Sequence, residues 1–158
     1  MPTLYILIGA AGAGKSTFAS KFMNENTIWV SRDNIRFRYL DKNPEAHYFD
    51  FEKETFQDFI NEIVAALKNN YNAIADATHL NTTSRKKLTN AIDKYYKNYK
   101  IIYIVFITDA GQCIKHNANR TGHRFVPEEI IQDMRSSLTI PKNEDTRVVG
   151  TWLIEGEV

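Results

Sequence analysis

The sequence predicts an α/β domain: a parallel sheet with helices packed on both faces. Three observations predict it. Short apolar runs alternate with segments of three- and four-residue apolar periodicity along the chain. The run KIIYIVFIT at 100–108 is apolar on both faces, as a central parallel strand requires. The first apolar run ends in a glycine-rich turn that opens directly into a helical pattern, the βα junction of such a sheet.

Taken in order, Thr3–Ile8 reads as the first strand and 16–23 as the first helix. Thr27–Ser31 (TIWVS) is a second strand, with a helix at 33–40 behind it. The longest helical pattern covers 46–68, where Phe56, Phe59, Ile60, Ile63, Val64 and Leu67 form one stripe and Glu52, Lys53, Asp58 and Glu62 fall elsewhere. A third strand is expected at 72–77 and a helix at 82–96 with Leu88, Ala91, Ile92 and Tyr95 on one face. After the central strand come helices at 110–120 and 127–138, joined by the polar turn 121–126. The segment 146–154 offers a last strand, and packing is the role expected for its Trp152.

At 158 residues, without repeats or a Pro/Gly-rich linker, one domain over 1–158 is expected. A net charge of +1 gives no general basic field for nucleic acid, although one groove can be basic on a neutral protein. The single cysteine, Cys113, excludes an internal disulfide and fits a reducing compartment. The apolar run at 101–107 is far too short to span a bilayer, and the start shows no secretory pattern. A cytoplasmic protein without a membrane partner is the expectation.

The turn is GAAGAGKS, residues 9–16, and it satisfies G-x-x-x-x-G-K-[ST] through Gly9, Gly14, Lys15 and Ser16. Backbone N–H groups of Gly9, Ala10, Ala11, Gly12, Ala13, Gly14 and on to Thr17 can curl around a phosphate chain at the positive end of the helix. Lys15 then reaches the β- and γ-phosphates, and the Ser16 hydroxyl joins a Mg²⁺ shell. A dinucleotide site would need a third glycine where Thr17 stands.

Hydrolysis and transfer differ in what accompanies the loop. Asp109, after the central strand, is read as a helix N-cap rather than a metal ligand. Asp33 and Arg36 follow the second strand, on the rim where ligands of an open parallel sheet bind. Two roles fit Asp33 equally by spacing: an N-cap paired locally with Arg36, or a carboxylate that accepts a proton from an attacking hydroxyl. Arg36 suits bidentate contact with an acceptor phosphate. Asp76 ends the third strand on the same rim and can orient Arg36 or a magnesium-bound water. Arg120 and Arg124 are either surface charges at a helix end or lid cations for the transferring phosphate. His116 and His123 stand nearby without zinc-site spacing.

The order GAAGAGKST, SRDNIR, ADATHLNTTSRKKL and CIKHNANRTGHRFVPEEIIQDM resembles the small P-loop kinases that include the polynucleotide 5′-kinase domains of phage-type and bacterial RNA/DNA end-healing enzymes. The resemblance covers 3–141. It implies a three-layer P-loop kinase fold with a mostly parallel sheet of 4–5 strands and a helical lid at about 116–127. It also implies ATP and Mg²⁺ as cofactors, and DNA or RNA 5′-OH ends as the acceptor. By the same resemblance Asp33 is the general base, Arg36 grips the phosphate of the terminal nucleotide, and Arg120 is the lid arginine on the transferring phosphoryl group. Asp76 supports them, Thr78 and Val126 fall on the substrate side, and Arg124 on the nucleotide side. The chain departs from the family at His116, where a basic residue, usually arginine, precedes the lid arginine by four, and at His79, where asparagine is common. A stand-alone kinase without a phosphatase partner is expected. The alternatives are a kinase of a small hydroxyl substrate (nucleoside, sugar or antibiotic) and a nucleotide-binding regulatory module that transfers nothing.

Overall fold

The computed structural model describes residues 1–155. Five strands form one sheet in the order β2-β3-β1-β4-β5, and every pairing is parallel. In chain order they are β1 (Thr3–Ile8), β2 (Thr27–Ser31), β3 (Asn72–Asp76), β4 (Lys100–Phe106) and β5 (Val148–Ile154). The helices are α1 (Lys15–Phe22), α2 (Arg32–Lys42), α3 (Glu52–Lys68), α4 (Thr82–Asp93), α5 (Ala110–Asn117) and α6 (Glu128–Ser137). A single 3₁₀ turn, Gly122–Arg124, lies between the last two helices.

The two-residue period of the strands divides the core. Ile101, Tyr103 and Val105 of β4 join Leu4, Ile6 and Ile8 of β1 on one face. There they pack against Ile35 of α2, Phe59, Ile60 and Ile63 of α3, and Leu88 and Ile92 of α4. Ile104 and Phe106 face the other way with Leu7, against Ala19 of α1, Cys113 of α5 and Ile131 of α6. A strand apolar on both faces is therefore sandwiched between two helical layers, as the sequence predicts.

The last strand forms as expected, parallel to β4 from Ile101↔Val148 to Phe106↔Ile154. Trp152 packs on the sheet, with its ring 5.9 Å from that of Tyr5 and 6.0 Å from that of Phe22. The pattern expected at 46–68 resolves differently, because α3 starts only at Glu52. Asn43 and Pro44 end α2, and a chain of turns bridges the interval to Phe51. The helix expected at 110–120 ends at Asn117, so Arg120 lies in the loop that follows it. The lid segment is mostly irregular, and the buried Asn117 fastens it. Its amide nitrogen donates to the Val126 carbonyl at 2.6 Å, and its Oδ1 accepts from the Val126 N–H at 2.9 Å.

β1 lies between β3, with β2 beyond it, and β4, with β5 beyond it, so the sheet order reverses at its carboxyl end. Ligands of open parallel sheets bind at such a point. Register also sets Ser31 beside Asp76 at the ends of β2 and β3. Among the described residues, no helix is long and apolar enough to cross a membrane.

Candidate functional site

The loop after β1 is shaped by close packing from below. Gly12 and Gly14 take the left-handed conformation, with φ of 80° and 99°. A Cβ at Gly12 would come within 2.3 Å of the Cys113 carbonyl oxygen, so α5 passes directly under the turn. Three bonds pin the loop to its surroundings. The Gly9 N–H donates to the Thr78 carbonyl at 3.0 Å, the Thr108 hydroxyl donates to the Ala13 carbonyl at 3.0 Å, and His116 Nδ1 meets the Gly12 carbonyl at 2.8 Å.

Lys15 begins α1 and is buried. Its Nζ donates to the loop's own carbonyls, Gly9 at 3.0 Å and Ala10 at 2.8 Å. Burial pulls its ammonium below the usual lysine range, against the raising effect of Asp76 and Asp33. The Ser16 hydroxyl donates to Asp76 Oδ2 at 3.0 Å, and Trp29 Nε1 donates to the same oxygen at 3.0 Å. Burial pushes the Asp76 carboxyl up, while Lys15 and the two donors work in the opposite direction. Ser16 and Asp76 thus present hard oxygen donors side by side at the foot of the loop. That donor set fits Mg²⁺, which takes one or two protein oxygens and fills its shell with waters and phosphate oxygens.

A cavity of about 750 Å³ opens over the loop. Its wall includes Ala11, Gly12, Gly14, Lys15, Ser16, Thr17, Asp33, Arg36, Asp76, Thr78, Arg120 and Val126, so residues predicted from distant segments do converge. Gly9, Ala10 and Ala13 lie beneath it, buried, with Gly9 and Ala10 lending their carbonyls to Lys15. Arg124 does not line this wall. Its guanidinium sits 4.2 Å over the Phe37 ring and 3.4 Å from Asp41, so it holds the lid turn against α2.

The cap of α2 is Ser31, whose hydroxyl accepts from the Asn34 N–H at 3.1 Å. Asp33 therefore stands inside the first turn and is not the N-cap; its side chain is 58% exposed at the cavity and paired with Arg36. Asp109 does cap α5, accepting from the Gln112 N–H at 2.9 Å. Asp76 makes no bond to Arg36; its partners are Ser16 and Trp29. Arg36 is buried and forked onto Glu52, with Nη2 to Oε1 at 2.6 Å and Nε to Oε2 at 3.0 Å. Its Nη1 donates to the Tyr48 hydroxyl at 3.0 Å, and the guanidinium lies 4.7 Å over the Tyr48 ring.

Sequence reasoning missed Glu52, Tyr48 and Phe49 as parts of this wall. They arrive from the turns and helix start at 48–52, where no spacing links them to Asp33 or Arg36. Burial alone would raise the Glu52 carboxyl, but the hydrogen bonds and charge of Arg36, with Arg32 behind, hold it below the usual range. His79, which replaces the common asparagine, is a support below the site. It is buried with φ of 43°, and its Nδ1 lies 2.9 Å from the Leu7 carbonyl. A carbonyl only accepts, so the neutral ring carries its proton on Nδ1. Burial lowers this imidazole to about 4.

Comparisons with known proteins agree with the fold. A chain of the Pnkp1/Rnl/Hen1 RNA repair complex matches at 29% identity and a TM-score of 0.72, over 87% of this chain. This chain spans only 44% of that one's length. A sugar kinase from Janibacter sp. HTCC2649 matches at 14% identity and a TM-score of 0.67, over 98% of this chain and 86% of its own. Kti12 from Chaetomium thermophilum, in complex with ADP-AlF3, matches at 11% identity and 0.68, over 96% and 88%. The last two likenesses speak for the fold alone, that of a P-loop kinase-like domain. A family model for the AAA domain matches residues 4–141, and the chain belongs to that family.

Proposed function

We propose that the protein is an ATP- and Mg²⁺-dependent kinase that phosphorylates the 5′-OH end of DNA or RNA. The observation that carries this reading is the outer wall of the cavity. The Asp33 carboxylate, 58% exposed, and Phe49, 70% exposed, both line that wall and leave it open to a large acceptor. An exposed aromatic ring suits stacking on a terminal base, and a carboxylate in the same cavity suits the hydroxyl of that nucleotide. The 29% identity with a chain of an RNA repair complex supports the same reading.

The roles follow from position. The loop amides and Lys15 bind the donor phosphates, with Lys15 exchanging two carbonyl partners for phosphate oxygens. Ser16 and Asp76 would hold Mg²⁺, which when bound neutralises charge on those phosphates. Asp33 takes the proton of the attacking hydroxyl, Arg36 and Val126 face the acceptor, and Thr78 borders it. Arg120, on the lid side, meets the phosphoryl group in flight. Positioning and charge stabilisation supply most of the catalysis.

The test is transfer from γ-labelled ATP to 5′-OH oligonucleotides, in parallel with a panel of nucleosides, sugars and aminoglycosides. Label on the oligonucleotides is the expected result. Label confined to the panel would assign the acceptor to the small-hydroxyl class instead.

A further inference from the structure

The indole of Trp29 reaches the phosphate-loop site from the edge of the sheet. β2 is an edge strand, and Trp29 stands at its centre, opposite Ile74 of β3. The two-residue period puts Asp76 on the same face as Ile74, two positions further along β3. Across that step Trp29 Nε1 donates to Asp76 Oδ2 at 3.0 Å, and the same oxygen accepts from Ser16 Oγ at 3.0 Å.

Trp29 is only partly buried, so its N–H could be given to water. It is committed instead to a carboxylate that is 5% exposed. Packing of the ring alone does not select that acceptor. An indole carries one donor and no acceptor, so its bond fixes which oxygen of the carboxylate turns toward β2. Both donors fall on Oδ2, and among the described residues none meets Oδ1, which is left for the cavity that Asp76 lines. The Ser16 hydroxyl has a single proton, and giving it to Asp76 leaves its lone pairs for a cation. Trp29 thus holds Asp76, and Asp76 in turn orients Ser16.

We propose that Trp29 is a positioning residue for Mg²⁺: its indole N–H fixes the Asp76 carboxylate and, through it, the Ser16 hydroxyl in the orientation that the ion meets. The proposal rests on the ATP and Mg²⁺ part of the reading above, not on the choice of acceptor. Hydrogen bonds that hold the groups of a metal site change its affinity by about 10–100-fold. Sign separates positioning from charge. Trp29→Phe keeps an aromatic ring on the sheet but withdraws a donor from Asp76. The carboxylate charge is then less dispersed, and charge alone predicts tighter Mg²⁺ binding. Lost orientation predicts weaker binding.

The experiment is isothermal titration on the full chain. ADP is titrated in EDTA, and Mg²⁺ is then titrated into protein saturated with ADP, so neither step needs turnover. The expected result for Trp29→Phe is an ADP Kd in EDTA within about twofold of wild type and a Mg²⁺ midpoint raised about tenfold or more. Trp152→Phe replaces the chain's other tryptophan, which packs on Tyr5 and Phe22, and behaves as wild type. A Mg²⁺ midpoint that is unchanged or lowered in Trp29→Phe overturns the proposal. Should that variant fail to fold, the ¹⁵N-indole NMR spectrum of wild type decides, with Trp152→Phe assigning the Trp29 signal. The Trp29 signal is expected to move when Mg²⁺ is added to the ADP complex while that of Trp152 stays. A Trp29 signal that does not move overturns the proposal. Wild type whose ADP complex takes up no Mg²⁺ sinks the Mg²⁺ reading of the site and this proposal with it. Mg²⁺-binding wild type beside an unaffected Trp29→Phe sinks the Trp29 assignment alone.

Discussion

Acidification should weaken the protein through His79. The ring is buried, donates from Nδ1 to Leu7, and is held near 4 instead of 6.5. The unfolded chain takes up a proton below pH 6.5, whereas the folded chain resists until about pH 4. This share of stability is therefore complete above pH 6.5 and lost as pH falls toward 4. The full loss amounts to about 3 kcal/mol, of which about 2 kcal/mol has gone by pH 5. Glu52, Glu144 and Asp145 are held below their usual ranges, so they release their contributions at lower pH. The assay is urea unfolding at pH 7.5 and pH 5 for wild type and His79→Asn, since asparagine tolerates the positive φ. The other histidines are common to both proteins and cancel in the difference. Wild type should lose about 2 kcal/mol more than the variant, a midpoint difference of about 1 M urea. Equal losses in the two proteins would refute the reasoning.

Three further outcomes follow from particular contacts. Gly12→Ala forces a Cβ to 2.3 Å from the Cys113 carbonyl at a φ of 80°, so ATP affinity by isothermal titration should fall at least about tenfold. Glu144→Ala leaves the Arg85 guanidinium, 1% exposed, without its carboxylate partner at 2.7 Å, and chemical denaturation should register a loss of about 3–5 kcal/mol. Phe49→Ala should raise the oligonucleotide KM about tenfold with the ATP KM unmoved, as the loss of one stacked base predicts; a KM equal to wild type would remove the ring from the acceptor site.

Much of this was readable in the residues because it depends on local physics. The continuous apolar run at 100–108 placed β4 between two layers, and the spacing of Gly9, Gly14, Lys15 and Ser16 placed the phosphate loop. Strand ends then brought Asp33 and Asp76 to the same rim. What stayed hidden depends on side chains meeting across the chain. Ser31, not Asp33, caps α2, and only the observed bond to the Asn34 N–H decides between two good capping residues. Glu52 reaches Arg36 across 16 positions and a series of turns, and Trp29 reaches Asp76 across 47. Such pairings leave no periodic trace. Arg124 follows the same rule: its spacing from Arg120 placed it at the lid, but Phe37 and Asp41 draw it outside the cavity wall.

The most direct test of the account is the behaviour of Asp33→Asn. Transfer from ATP to a 5′-OH oligonucleotide and ATP binding by titration are measured on the same protein. The account predicts ATP affinity within a few-fold of wild type and transfer slowed by about 10² or more. Transfer at the wild-type rate, with the carboxylate gone, would contradict it.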